Sequence, residues 1–286
     1  MMTDMSSSPQ KKHEKCSVFG RLFSIAHDDP TLNESTWSQI QPCKTYRLGS
    51  KSIFITQPSS SFWVYFLGLV TCLLGVFLLF DHQEQLSRVW WGISLLLWGI
   101  GALIAGTSYQ AFGYQLKCQG RKRVAWTSWW EVIYLIFQQV SVNAMLVGVA
   151  YSTLSPSGIQ ISLYVASLVS VAYVLFIAYG AFKPVKSFIT FEMMCWWCTP
   201  FIVFMTILNT WSFWQTGAEL QLSLIGVWGG LYLTMYLYWI YYRADLTAKL
   251  WQKKRWFSEN DVLHVALIIW VAYLAWFVEP LILDLK

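Results

Sequence analysis

The chain has 286 residues, of which 56% are apolar and only 12% charged, with 18 tryptophans and a positive mean hydropathy. Soluble domains carry about 25% charged residues, so this composition excludes an ordinary soluble domain and implies a chain solvated largely by lipid. The formal net charge of +5 is scattered over several segments; that excludes the compact basic domain a nucleic-acid binder needs and makes membrane lipids the expected partners. No feature of the sequence specifies a protein partner.

Residues 1–60 form a polar lead without an early hydrophobic run, so no cleavable signal peptide is expected. Residues 1–15 have the composition of a disordered segment. Residues 16–58 mix apolar and polar side chains, Trp37 and Ile40 among them, and are expected to pack on the bundle. His27-Asp28-Asp29 before Pro30 reads as a solvated turn, with a metal-binding or regulatory patch as the alternative.

Seven apolar runs come after the lead, at about 62–80, 89–113, 129–153, 160–182, 189–212, 222–242 and 261–281. Each is long enough to cross a hydrocarbon core of roughly 30 Å as a helix. Only helices or closed barrels satisfy their backbone in lipid. The expected fold is therefore all-α: a polytopic seven-helix bundle at 61–286. Eighteen of the 20 lysines and arginines fall on one side of this arrangement, and only Arg88 and Lys286 on the other. That bias predicts a cytoplasmic N-terminus and an external C-terminus. It suits a bacterial inner membrane and a eukaryotic endomembrane equally.

Polar residues inside the spans carry the functional expectations, because lipid-embedded polar groups are costly unless paired. The second span ends in Gly106-Thr107-Ser108-Tyr109-Gln110, read as helix–helix hydrogen bonding or as part of a site. Gly101 and Ala105, one turn apart, allow close approach of a neighbouring helix. In the third span Glu131, Tyr134, Gln138 and Ser141 share one face, and such a stripe must point into the bundle or a cavity; for Glu131, within a turn of the cytoplasmic surface, snorkelling to that surface is the alternative. The fifth span holds Glu192, then Cys195-Trp-Trp-Cys198 and Pro200. The two cysteines are read as small hydrophobes and the proline as a kink. The sixth span is rich in tyrosine and tryptophan, for packing and interface anchoring or for an aromatic ligand pocket.

The seventh span opens Ser258-Glu259-Asn260-Asp261-Val262-Leu263-His264. Ser258 or Asn260 suits the helix N-cap, and Asp261 the first turn. Capping leaves His264, one turn deeper, unexplained. Ser108, Gln110, Glu131, Glu192, Asp261 and His264 all belong to the same half of the bundle.

A serine at the end of the second helix, an acid on the third and Asn260-Asp261-x-x-His264 on the seventh together resemble the seven-helix membrane hydrolases of the alkaline ceramidase and progestin/adipoQ-receptor type. The resemblance covers the seven spans and not the lead. It implies a zinc ion, with His264 and Asp261 at the metal and Ser108 and Glu131 assisting hydrolysis of a lipid amide or ester. Gln110, Gln138, Glu192 and Asn260 are then expected around a lipid-like ligand. The family's zinc is held by three histidines, whereas this chain has four in all and only His264 lies within a span. A site of His264 with Asp261, Glu131 or Glu192 is the form left open. Two other readings stay beside it: a small-solute or proton-coupled transporter with Glu131, Asp261 and His264 as a relay, and a structural subunit of a membrane complex.

Overall fold

The computed structural model describes residues 24–26, 32–183 and 185–285. His13 and the His27-Asp28-Asp29 turn lie outside the described residues. Seven helices are long and apolar enough to cross a membrane, the number expected. They are labelled α1 (Pro58–Phe80), α2 (Leu86–Ala105), α3 (Trp129–Thr153), α4 (Pro156–Phe182), α5 (Phe191–Thr216), α6 (Glu219–Arg243) and α7 (Glu259–Tyr273).

Local sequence explains where these helices start. Pro58 and Pro156 open α1 and α4, where a missing N–H costs nothing. Thr190 caps α5 by accepting the Met193 N–H at 3.1 Å. Of the two cap candidates on α7, Ser258 holds the position, in a capping box with Asp261. α5 ends at Gly217, whose positive φ of 65° is the left-handed C-terminal stop that glycine accommodates. Pro200 lies inside α5 and leaves the Trp196 carbonyl without its helical donor.

Six helices form a ring in which α1 packs on α2, α2 on α3, α3 on α5, α5 on α6, α6 on α7 and α7 back on α1. α4 lies outside it against α3, and α3 is the most buried of the seven. Glycines bring α1 and α2 together: a Cβ on Gly75 would sit 2.8 Å from the Leu96 backbone, and one on Gly99 2.8 Å from the Cys72 backbone. Gly101 faces the third helix instead, where a Cβ would sit 2.7 Å from Gln138 Nε2.

The two ends of the ring differ. The end reached by the tops of α1 and α3 is closed by aromatic rings and a buried cation. Trp91 stacks on Trp228 at 6.3 Å and Trp98 lies 5.3 Å from Trp270. Trp228 donates to Asn209 Oδ1 and Trp270 to the Val227 carbonyl. Arg88, one of the two basic residues assigned to the external side, is 2% exposed. It donates to the Asp81 carbonyl and carboxylate and to the Glu279 carbonyl, and it pairs with the Glu279 carboxylate. Asp284 accepts the free Leu86 and Ser87 N–H groups at the start of α2.

The opposite, basic end carries short elements absent from the sequence-based expectation of an all-helical chain. Strands β2 (Cys43–Leu48) and β3 (Lys51–Thr56) form an antiparallel hairpin leading into α1. Its two-residue loop begins with Gly49 at φ 62°, as tight hairpin turns prefer. Strand β1 (Ser24–Ala26) pairs with β4 (Ala125–Ser128), which runs directly into α3. Trp37 is buried with Cys118 and Val124 beside Tyr114, so part of the lead packs on the loop after α2. That loop comes after a π-helical turn at Gly106–Ala111, in which α2 widens as it leaves the bundle.

Candidate functional site

The residues singled out by sequence fall into three separate places near the basic end. Glu131 is the centre of the first. In the opening turn of α3 it is 1% exposed, and donors surround it. Ser108 Oγ, carried by the π-helical turn, donates to Oε1 at 2.8 Å, as does Lys117 Nζ at 2.8 Å. Thr127 Oγ1 of β4 donates to Oε2 at 2.7 Å. Ser128 shares a hydrogen bond with Ser108 at 2.7 Å, and Lys117 also sits over the Tyr109 ring. Both carboxylate oxygens are thus engaged, and the charge is matched by one lysine.

Asp261 is the centre of the second. It is also 1% exposed. Ser59 Oγ donates to Oδ1 at 2.6 Å, and Ser60 Oγ to Oδ2 at 2.9 Å. The Ser258 N–H and hydroxyl donate to Oδ2 at 2.6 and 2.7 Å. This carboxylate caps its own helix and fastens α7 to the start of α1. Sequence reasoning misses Ser59 and Ser60, which read only as the polar approach to the first span. It likewise takes Lys117 only for a topology charge.

The third place is a cavity of about 340 Å³ inside the ring, in its basic half. Its wall is drawn from α1, α2, α3, α5, α6 and α7 and is mostly apolar, with Val64, Leu67, Ala102, Val142, Met194 and Leu267 among its members. Gln138 and His264 are the two expected site residues that line it. Gln138 is committed, since its Nε2 donates to the Trp98 carbonyl at 2.9 Å. His264 is 7% exposed, and its Nδ1 is buried without a hydrogen-bond partner. Cys195 and Cys198 also face this space. Three of its lining residues on α5 and α6, Thr199, Tyr232 and Met235, are also exposed at the bundle surface.

The remaining expected residues stand apart. Ser108, Glu131, Gln110, Glu192, Asn260 and Asp261 are not part of the cavity wall. Gln110 is buried, Asn260 half-buried, and Glu192 exposed in the first turn of α5.

The zinc implied by the resemblance requires three or four protein ligands. Among the described residues no three of His, Cys, Asp and Glu come together to hold a metal ion. The Asp261 oxygens already accept from serines, and Glu131 is matched by Lys117 and accepts from Ser108. The residues present therefore do not fit a zinc centre at His264 and Asp261. What they do offer is an apolar chamber with no Asp, Glu, Lys or Arg on its wall and with the His264 imidazole and the Tyr134 ring among its lining side chains.

No family model, no curated protein and no solved structure matches this chain.

Proposed function

We propose that this multi-pass membrane protein holds a lipid-like ligand in the cavity between its helices, with the basic end of the bundle at the cytoplasmic face. The N-terminus is then cytoplasmic and the C-terminus external, as the lysine and arginine bias favours. The observation that carries the reading is His264: an imidazole inside a membrane bundle, its Nδ1 unpartnered, on the wall of an apolar cavity. A buried polar atom left unpaired costs about 1–3 kcal/mol, and a ligand that completes its hydrogen bond recovers this. Cavities of roughly 300–1,000 Å³ with apolar walls and few polar groups are the usual form of small-molecule sites. Hydrolysis finds less support, because Ser108 and Glu131 are tied to each other, to Lys117 and to β4, away from the cavity.

The test is lipid analysis of protein purified in mild detergent, beside an Ala102→Phe variant that fills the chamber from α2. The wild-type chain is expected to carry a non-bilayer-average lipid at near one per chain, and the folded variant less than about a tenth of it. Equal lipid content and composition in both would sink the reading.

A further inference from the structure

The chemistry of the cavity wall restricts what it holds. None of its lining residues is Asp, Glu, Lys or Arg. Its other polar side chains include several that are already occupied: Gln138 bonds the Trp98 carbonyl, Thr234 the Gly230 carbonyl, and Tyr232 shares a bond with Thr206. Asp261 is the nearest carboxylate along α7, and its oxygens accept from Ser59, Ser60 and Ser258. Of the side chains on the wall, His264 has a buried Nδ1 without a hydrogen-bond partner, and the Tyr134 hydroxyl is the other uncharged polar group there without one. A carboxylate or phosphate brought here meets no lysine or arginine, and burying an unpaired anion is prohibitively costly. A neutral imidazole, by contrast, offers one donor and one acceptor, which matches a hydroxyl or a carbonyl.

The shape adds a second restriction. Its lining residues Thr199, Tyr232 and Met235, on α5 and α6, are exposed at the bundle surface, and the surface of these two helices is apolar, with Val203, Phe204 and Leu233 exposed on it. The side of the cavity formed by α5 and α6 is therefore where an apolar chain longer than the cavity would pass to continue among lipid tails.

We infer that the site, on the ligand-binding reading above, selects an uncharged membrane lipid: a long apolar chain with one small oxygen head, hydroxyl or carbonyl, seated against His264. Free fatty acids and phospholipids are rejected because the wall supplies no cation.

The experiment uses the full chain in nanodiscs of neutral phospholipid and two photoactivatable probes of equal chain length. One is a diazirine-bearing long-chain alcohol; the other is the corresponding fatty acid, held ionised at pH 8. Labelled peptides are mapped by mass spectrometry. The alcohol is expected to label residues 195–202 and 231–235 at least about tenfold more than the acid does, tenfold corresponding to about 1.4 kcal/mol of preference. His264→Leu should lower the alcohol labelling about as much, while His264→Gln, which keeps a donor and an acceptor, retains most of it. Equal labelling by both probes would overturn the selectivity and leave the ligand-binding reading standing. Unchanged labelling in His264→Leu would overturn the role of His264. No cavity labelling by either probe in the wild-type chain would overturn the inference together with the reading beneath it.

Discussion

Glu131 and His264 lie in the same half of one bundle, both almost wholly buried, and their surroundings are opposite. Glu131 accepts from Ser108, Lys117 and Thr127, so that its charge and both its oxygens are satisfied. His264 faces an apolar cavity with Nδ1 unpartnered. A closed polar cluster holds helices in register, and its removal is felt by the fold. An open polar group on a cavity does nothing for the fold, and its removal is felt by whatever occupies the cavity. The difference separates scaffold from site among residues that look alike in the sequence.

The largest effect is expected from breaking the closed cluster. Lys117→Met leaves the Glu131 carboxylate buried without its cation, a loss of about 3–5 kcal/mol for a pair of this kind. It should appear as a clear fall in the thermal unfolding midpoint of the protein in detergent, followed by tryptophan fluorescence. A midpoint within a degree or two of wild type would mean that Glu131 is not held as described. Next in size is Asp261→Asn. It keeps an acceptor for the serines of α1 but weakens the capping box, and a cost of roughly 1–2 kcal/mol is expected from lost cap and charge-assisted bonds. His264→Leu should barely move the midpoint, since it removes an unpaired buried atom. If it destabilises as much as Lys117→Met, the contrast between the two regions collapses.

The smallest effect concerns two thiols outside the membrane helices. Burial pushes the Cys43 and Cys118 thiols above their ordinary range, with the Glu34 carboxylate adding to the rise at Cys118. The native state then keeps these protons at pH values where the unfolded chain has lost them. Their contribution to stability is present below the ordinary thiol range and fades as pH climbs through the raised values. Alkylation by iodoacetamide at pH 8.5 should be slower at both positions in the folded protein than in urea, and equal rates would contradict the burial of the lead against the loop after α2.

The seven helices were legible because lipid imposes one simple demand, an apolar run of sufficient length. The polar stripe of α3 was legible for the same reason: Glu131, Gln138 and Ser141 share a face and are all buried. The grouping of the polar residues was not legible. Asp261 meets Ser59 and Ser60 across some 200 positions, and neither helical period nor motif spacing carries such information. Arg88 counted only as an external-side charge, because its partner Glu279 lies 191 positions away. The hairpin of β2 and β3 was overlooked in a stretch read as a mixed apolar and polar segment packing on the bundle, although Gly49-Ser50 between two short runs is a fair turn signal. The single motif that suggested a metal, Asn260-Asp261-x-x-His264, divides in the structure. Asp261 turns to its cap and to α1, and His264 to the cavity.

The ring is completed by contacts between residues far apart in the sequence. α1 is fastened to α7 through Ser59 and Ser60, and the start of α2 to Asp284, in each case across about 200 residues. Without α7 the other five ring helices would form an open arc, with Ser59 and Ser60 lacking the carboxylate they serve and the cavity lacking the wall of Leu263, His264 and Leu267. The last helix is thus both the clasp of the ring and one side of its chamber.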